Sequence, residues 1–145
     1  MLFITAAEAS PMKLVLTLFL AAHGLIHASF LSPVPPRTAG GPDWPFELAR
    51  SWLVTGLHLD PALVRPVGIG LAVASAGLLL LAGLATAGWL VPTGWWTGLA
   101  AAGAATSLVT LLLFFHPWLV LGVLIDLVLL WAVLGAGWRP DGIAT

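Results

Sequence analysis

His23 and His27 lie four residues apart inside a long apolar run, in the stretch Ala22-His23-Gly24-Leu25-Ile26-His27. Helical spacing puts both imidazoles on one face, a turn apart. Two imidazoles so placed can share a metal ion if other segments bring further ligands, and His116, His58 or a loop carboxylate are the available donors. Bis-histidine haem ligation needs imidazoles on opposite sides of the macrocycle. The pair shares a face, so His116 would have to come from another helix. A proton path asks for less: titratable groups in sequence, with His23 facing Asp126. The plain alternative is a structural hydrogen bond between helices. No HExxH pattern, glycine-rich phosphate loop or serine-nucleophile motif accompanies these residues. Haem and a transition metal both stay open as cofactors, and neither is required.

The surroundings make these side chains unusual. Of 145 residues, 60% are apolar and only 8% are charged. Soluble domains carry roughly 25% charged residues, so this chain lacks the means to build a water-facing surface. The net charge of −1 offers no footprint for nucleic acid. Without cysteine there is no disulfide framework or thiolate metal site. Eight tryptophans are present, and Trp89, Trp95, Trp96, Trp118 and Trp138 at the run edges fit aromatic belts. A polytopic membrane protein with the lipid bilayer as its first partner is expected, and a membrane-protein partner or a second copy is compatible with it. The first run is expected to be a retained helix and not a cleaved signal, because it is long and holds two histidines. Met12-Lys13 is a second candidate start site.

A spanning helix needs about 20 apolar residues. Four runs qualify: 13–31, 66–90 opened by Pro66, 94–115, and 117–137. The last two are separated by His116-Pro117, where proline forces a break, so a tight hairpin is expected there. The fold class is therefore all-α, a four-transmembrane-helix bundle forming one domain over 1–145. Loop 32–65 carries six of the eleven charged residues: Arg37, Asp43, Glu47, Arg50, Asp60 and Arg65. Its 44–59 portion mixes Trp44, Phe46, Leu48 and Trp52 with charges, which predicts a short amphipathic surface helix. Small residues at Gly70, Ala74 and Gly77, and at Ala100, Gly103 and Ala104, predict close helix packing.

Rise per residue sets the depths. His23 lies ~15 Å from either end of its span, and Asp126 lies ~14 Å into the last. Ser75 and Ser107 fall at similar depth, where a lone serine usually bonds its own helix backbone. Parity puts the His116 hairpin on the loop side. All four histidines then occupy one membrane half, as a polar track toward Asp126 would require. His116 beside Pro117 also has a plain reading as an interfacial turn residue. Lys13 and Arg139 against Arg37, Arg50 and Arg65 do not decide orientation.

Taken in order, HGLIH (23–27), WPFELARSWL (44–53), RPVG (65–68) and HPWLVLGVLIDL (116–127) resemble a group of small four-helix bacterial membrane proteins that have no assigned activity. The resemblance implies a multi-pass protein of the bacterial inner membrane. A looser similarity to DoxX-like proteins, some linked to membrane redox chemistry, rests on size and topology. Three functions follow as expectations. The first is an accessory or interaction subunit without catalysis. The second is a redox or metal protein using His23, His27 and His116. The third is proton-coupled transport using His23 and Asp126.

Overall fold

In the computed structural model, which describes residues 10–140, the chain enters its first helix at a built N-terminus. The Ser10 hydroxyl accepts from the Lys13 N–H and Pro11 occupies the first turn of α1 (Pro11–Ile26). The same span continues as a tighter 3₁₀ turn, His27–Leu31. A four-residue helix α2 (Trp52–Thr55) follows in the loop. The long α3 (Pro61–Ala87) is capped by Asp60, which accepts from the Ala62 N–H at 2.8 Å. It stops at Gly88, whose φ of +69° is the left-handed conformation that glycine adopts without penalty. α4 (Trp96–Leu113) is entered through a 3₁₀ turn at Thr93–Trp95. α5 (Val120–Leu130) is entered through Pro117–Leu119 and leaves through a wider π-type turn, Trp131–Gly135. Four stretches are long and apolar enough to cross a membrane: Pro11–Leu31, Pro61–Ala87, Thr93–Leu113 and Pro117–Gly135. The molecule is an all-helical four-span bundle, as its apolar runs require, and no strand forms among the described residues.

Several details differ from the sequence expectation. The second span starts at Pro61 and not at Pro66, because Asp60-Pro61 supplies the cap. Pro66 therefore sits inside α3 and leaves the Ala62 carbonyl without its helical donor. The expected surface helix over 44–59 shrinks to a 3₁₀ turn at Leu48–Arg50 and α2, with Ser51 in extended backbone between them. Gly70, Ala74 and Gly77 face outward, and the buried face of α3 is Gly68, Ala72, Ser75, Leu79, Ala82 and Gly83. Trp96 leaves the expected belt for the core, where it is buried against Trp138. The alternative start at Met12 turns on residues 1–9, which lie outside the described residues.

Packing runs from α1 to α3, α3 to α4 and α4 to α5, while α1 and α5 meet only sparsely. Glycines permit the close approaches, with Gly83 set against the Thr17 carbonyl of α1 and two more facing the neighbouring helices. A Cβ on Gly24 would stand 3.0 Å from the Ala76 carbonyl of α3, and one on Gly103 would stand 3.0 Å from the Leu79 side chain. One core, built on Leu20, Leu79, Ala82, Trp96, Ala100 and Leu129, fills the half near the described termini. The other, with Phe30, Leu48, Val64, Phe114 and Leu119, fills the loop-side half.

The loop closes that second half as a cap. The Ser51 hydroxyl donates to the Leu113 carbonyl at 2.6 Å and the Trp52 indole N–H donates to the Leu112 carbonyl at 2.8 Å. These carbonyls end α4 and have no helical donors of their own. Phe30 stacks edge-on to Phe46 and Phe114 beneath the cap, with centroids 5.1 and 6.1 Å away. Between the two cores lies a short polar layer.

Candidate functional site

The polar layer begins where α1 changes pitch. The His27 backbone N–H turns to the Gly24 carbonyl, a tighter bond than α-helical spacing makes. That releases the His23 carbonyl, and the His27 ring folds back to take it, Nδ1 to oxygen at 3.2 Å. The two imidazoles stand edge to face with centroids 5.6 Å apart. Both are buried, and His27 is only 1% exposed.

Asp126 on α5 is completely buried, and both of its oxygens are engaged. His23 Nε2 lies 2.8 Å from Oδ1, and the Ser107 hydroxyl of α4 donates to Oδ2 at 2.5 Å. Ser107 Oγ also lies 2.9 Å from His27 Nε2. Three spans thus meet through a connected chain, His23–Asp126–Ser107–His27, inside the apolar bundle. Short contacts to a carboxylate are the strong, charge-assisted kind. In a low-dielectric interior such a chain is favourable only when every member is satisfied. The cost of a carboxylate at membrane depth is thereby met locally.

No family model, curated protein or solved structure matches this chain. The chemistry must therefore be read from the site itself.

The other residues singled out in the sequence divide into two groups. Ser107 reaches across helices instead of bonding its own backbone. Ser75 does the ordinary thing, donating to the Leu71 carbonyl at 2.8 Å while touching Thr110 Oγ1 at 3.3 Å. His116 stays in the hairpin, where its Nδ1 accepts from the Trp118 N–H at 3.2 Å. His58 is an exposed turn residue with φ of +55°. The set His23, His27 and His116 is consequently not assembled. Among the described residues no group of three or more histidines or carboxylates is placed to hold a metal ion. The expected track to the loop surface is interrupted as well, since Phe30 and Phe114, together with Phe46 and Leu48 of the cap, lie between His27 and that surface.

Two contributors escaped the sequence reading. Gly122 faces the His23 ring, with its missing Cβ 3.8 Å from Cε1 and 2.8 Å from Leu111 Cδ1. Its spacing of four from Asp126 was the available signal, since such residues share a helix face. Thr110 is fully buried beside Ser75 and looked like one more apolar-run residue.

Proposed function

We propose that this chain is a proton-coupled membrane protein whose working groups are His23, Asp126, Ser107 and His27. The single observation that carries the reading is Asp126, fully buried with one oxygen on an imidazole and the other on a hydroxyl that continues to a second imidazole. Imidazole and carboxylate are the side chains that exchange protons near neutrality once their environments bring them together. Ionisable groups inside a spanning bundle commonly mark proton relays. His23 keeps 5% exposure, against 0% for Asp126 and Ser107, so it is the member of the cluster nearest the bundle surface. Four spans offer little room for a second solute pathway, so a working transporter would be an assembly of copies. The bacterial inner membrane is the proposed location, supported by the resemblance of the HGLIH and HPWLVLGVLIDL segments.

The test is proton flux into liposomes holding purified protein, wild type against Asp126→Asn. Flux in the wild type that disappears in the variant supports the reading, and equal flux in both removes it.

An accessory or interaction subunit is the second reading. It is favoured by the last span, the least buried of the four, whose Trp118, Leu121, Val128 and Trp131 are all more than 60% exposed. Lipid covers such a face equally well, so this reading ranks below the first.

A further inference from the structure

Counting hydrogens along the cluster leads past the proton-coupled reading, on whose site it rests. The His23 carbonyl can only accept, so His27 Nδ1 at 3.2 Å carries a hydrogen in either charge state of the ring. What remains variable is the line His27 Nε2, Ser107 Oγ and Asp126 Oδ2, with spacings of 2.9 and 2.5 Å. Ser107 has one hydroxyl hydrogen for two partners. When it donates to Oδ2, the other contact is a hydrogen bond only if Nε2 also bears a hydrogen, and His27 is then an imidazolium facing an ionised Asp126. When it donates to Nε2, Oδ2 must bear the hydrogen, and both residues are neutral. A neutral His27 with an ionised Asp126 leaves one contact with lone pair against lone pair. Ser107 Oγ and Asp126 Oδ2 are hydrogen-bond partners, so a hydrogen lies between them in either form.

We infer that the site binds one proton shared between His27 and Asp126 through the Ser107 hydroxyl. The two forms contain the same atoms and interconvert by a double shift. The His27 Nε2–H bond breaks as an O–H bond forms on Ser107, while the original Ser107 O–H bond breaks as one forms on Asp126. No electrons are gained or lost, and the net charge is zero in both forms. That neutrality lets an aspartate lie at membrane depth without an arginine or lysine.

His23 is a positioning residue in this scheme. Its Nε2–H donates to Oδ1 in both forms and holds the carboxyl in line. The elements packed around the cluster add no further charge. α1 brings the two imidazoles and α5 the carboxylate, α4 brings hydroxyls, and the lone charge of α3, Arg65, lies at its loop end. The line stops at His27, because Nδ1 points to the carbonyl of its own helix and Phe30 lies beyond it. The proton therefore enters and leaves on the His23 side of the cluster.

The test uses the full chain, ¹⁵N-labelled at histidine, in lipid bilayers and read by solid-state NMR near neutral pH. The inference expects His27 Nδ1 protonated and His27 Nε2 at a shift between the bare and protonated limits. Asp126→Asn, whose amide copies the protonated acid, should move Nε2 to the bare, accepting limit. Ser107→Ala should move it to one limit. A bare Nδ1, or a wild-type Nε2 already at a limit and unmoved by either variant, overturns the inference. Liposome flux is a separate readout. An intermediate Nε2 without flux sinks transport but leaves the shared proton, and flux with Nε2 at a limit does the reverse.

Discussion

His23 Nε2 lies 2.8 Å from Asp126 Oδ1, and this contact bridges the first and last spans where their backbones otherwise pack sparsely. The seam between α1 and α5 is thus bridged at mid-depth by a polar bond. Interhelical hydrogen bonds inside bilayers contribute ~0.6–2 kcal/mol each, so the bridge is significant where little else holds the seam.

Substitutions at Asp126 separate the bridge from the proton. In Asp126→Asn the amide oxygen accepts from His23, the amide nitrogen donates to Ser107, and Ser107 donates to a neutral His27. We expect a stability change within about 1 kcal/mol, because each pairing survives. Asp126→Leu strands one buried donor, the His23 Nε2–H, while the Ser107 hydroxyl turns to His27 Nε2; it should cost about 1–3 kcal/mol. Reversible unfolding in mixed micelles measures both. Equal losses for the two variants would show that the hydrogen-bond assignments are wrong.

Glycines that look alike in the sequence should respond oppositely to alanine. A Cβ on Gly103 meets Leu79 at 3.0 Å on the side chain and 3.1 Å on the backbone, so Gly103→Ala forces α3 and α4 apart. About 1–3 kcal/mol of destabilisation is expected from such overpacking. Gly77 has nothing within 4 Å of its would-be Cβ, and Gly77→Ala should be neutral or stabilise by up to about 1 kcal/mol. The same unfolding assay checks both, and a costly Gly77→Ala would reveal an unseen neighbour on that face.

This contrast also marks what the sequence could convey. Length and apolarity set the four spans, and His116-Pro117 marked the hairpin, because bilayer thickness and proline geometry act locally. The i, i+4 spacing correctly put both imidazoles on one face. Helix rotation was beyond reach, since lipid and a neighbouring helix are equally apolar. For that reason Gly70, Ala74 and Gly77 looked like a packing stripe while α3 buries Ala72, Ser75 and Leu79 instead. The pitch change at His27 was equally silent, although it frees the His23 carbonyl that the His27 ring then takes. His116 could not be placed either: its Nδ1 caps the hairpin through the Trp118 N–H, and the fold leaves it apart from His23 and His27.

The loop cap should come loose when its two hydrogen bonds to α4 are removed. Ser51→Ala together with Trp52→Phe frees the Leu113 and Leu112 carbonyls, which lie at the loop-side end of their span and can then reach water. A loss of about 1–3 kcal/mol for the pair is expected. Hydrogen exchange should rise over 44–59 and at the His116 hairpin, with protection retained around Ser107. Unchanged exchange in the loop would mean that the apolar contacts of Phe46 and Leu48 alone hold the cap.

Acid acts on the cap through a different contact. Asp43 is exposed and hydrogen-bonded to the Arg50 guanidinium, which holds its carboxyl below the ordinary value of 3.8, with Arg37 and His116 adding to the effect. A carboxyl depressed on folding adds stability above its unfolded pKa and loses it as pH falls through the folded value. The Asp43–Arg50 contact is therefore intact at neutral and alkaline pH and opens only below the ordinary carboxylate range. Arg50→Met removes the main cause of the depression, so the Asp43 titration midpoint should move upward toward 3.8. A ¹³C carboxyl resonance assigned to Asp43 measures that midpoint. Because the pair faces water, global stability should barely respond, and the cluster at Asp126 should be unaffected. A midpoint unmoved by Arg50→Met would assign the depression to Arg37 and His116 instead.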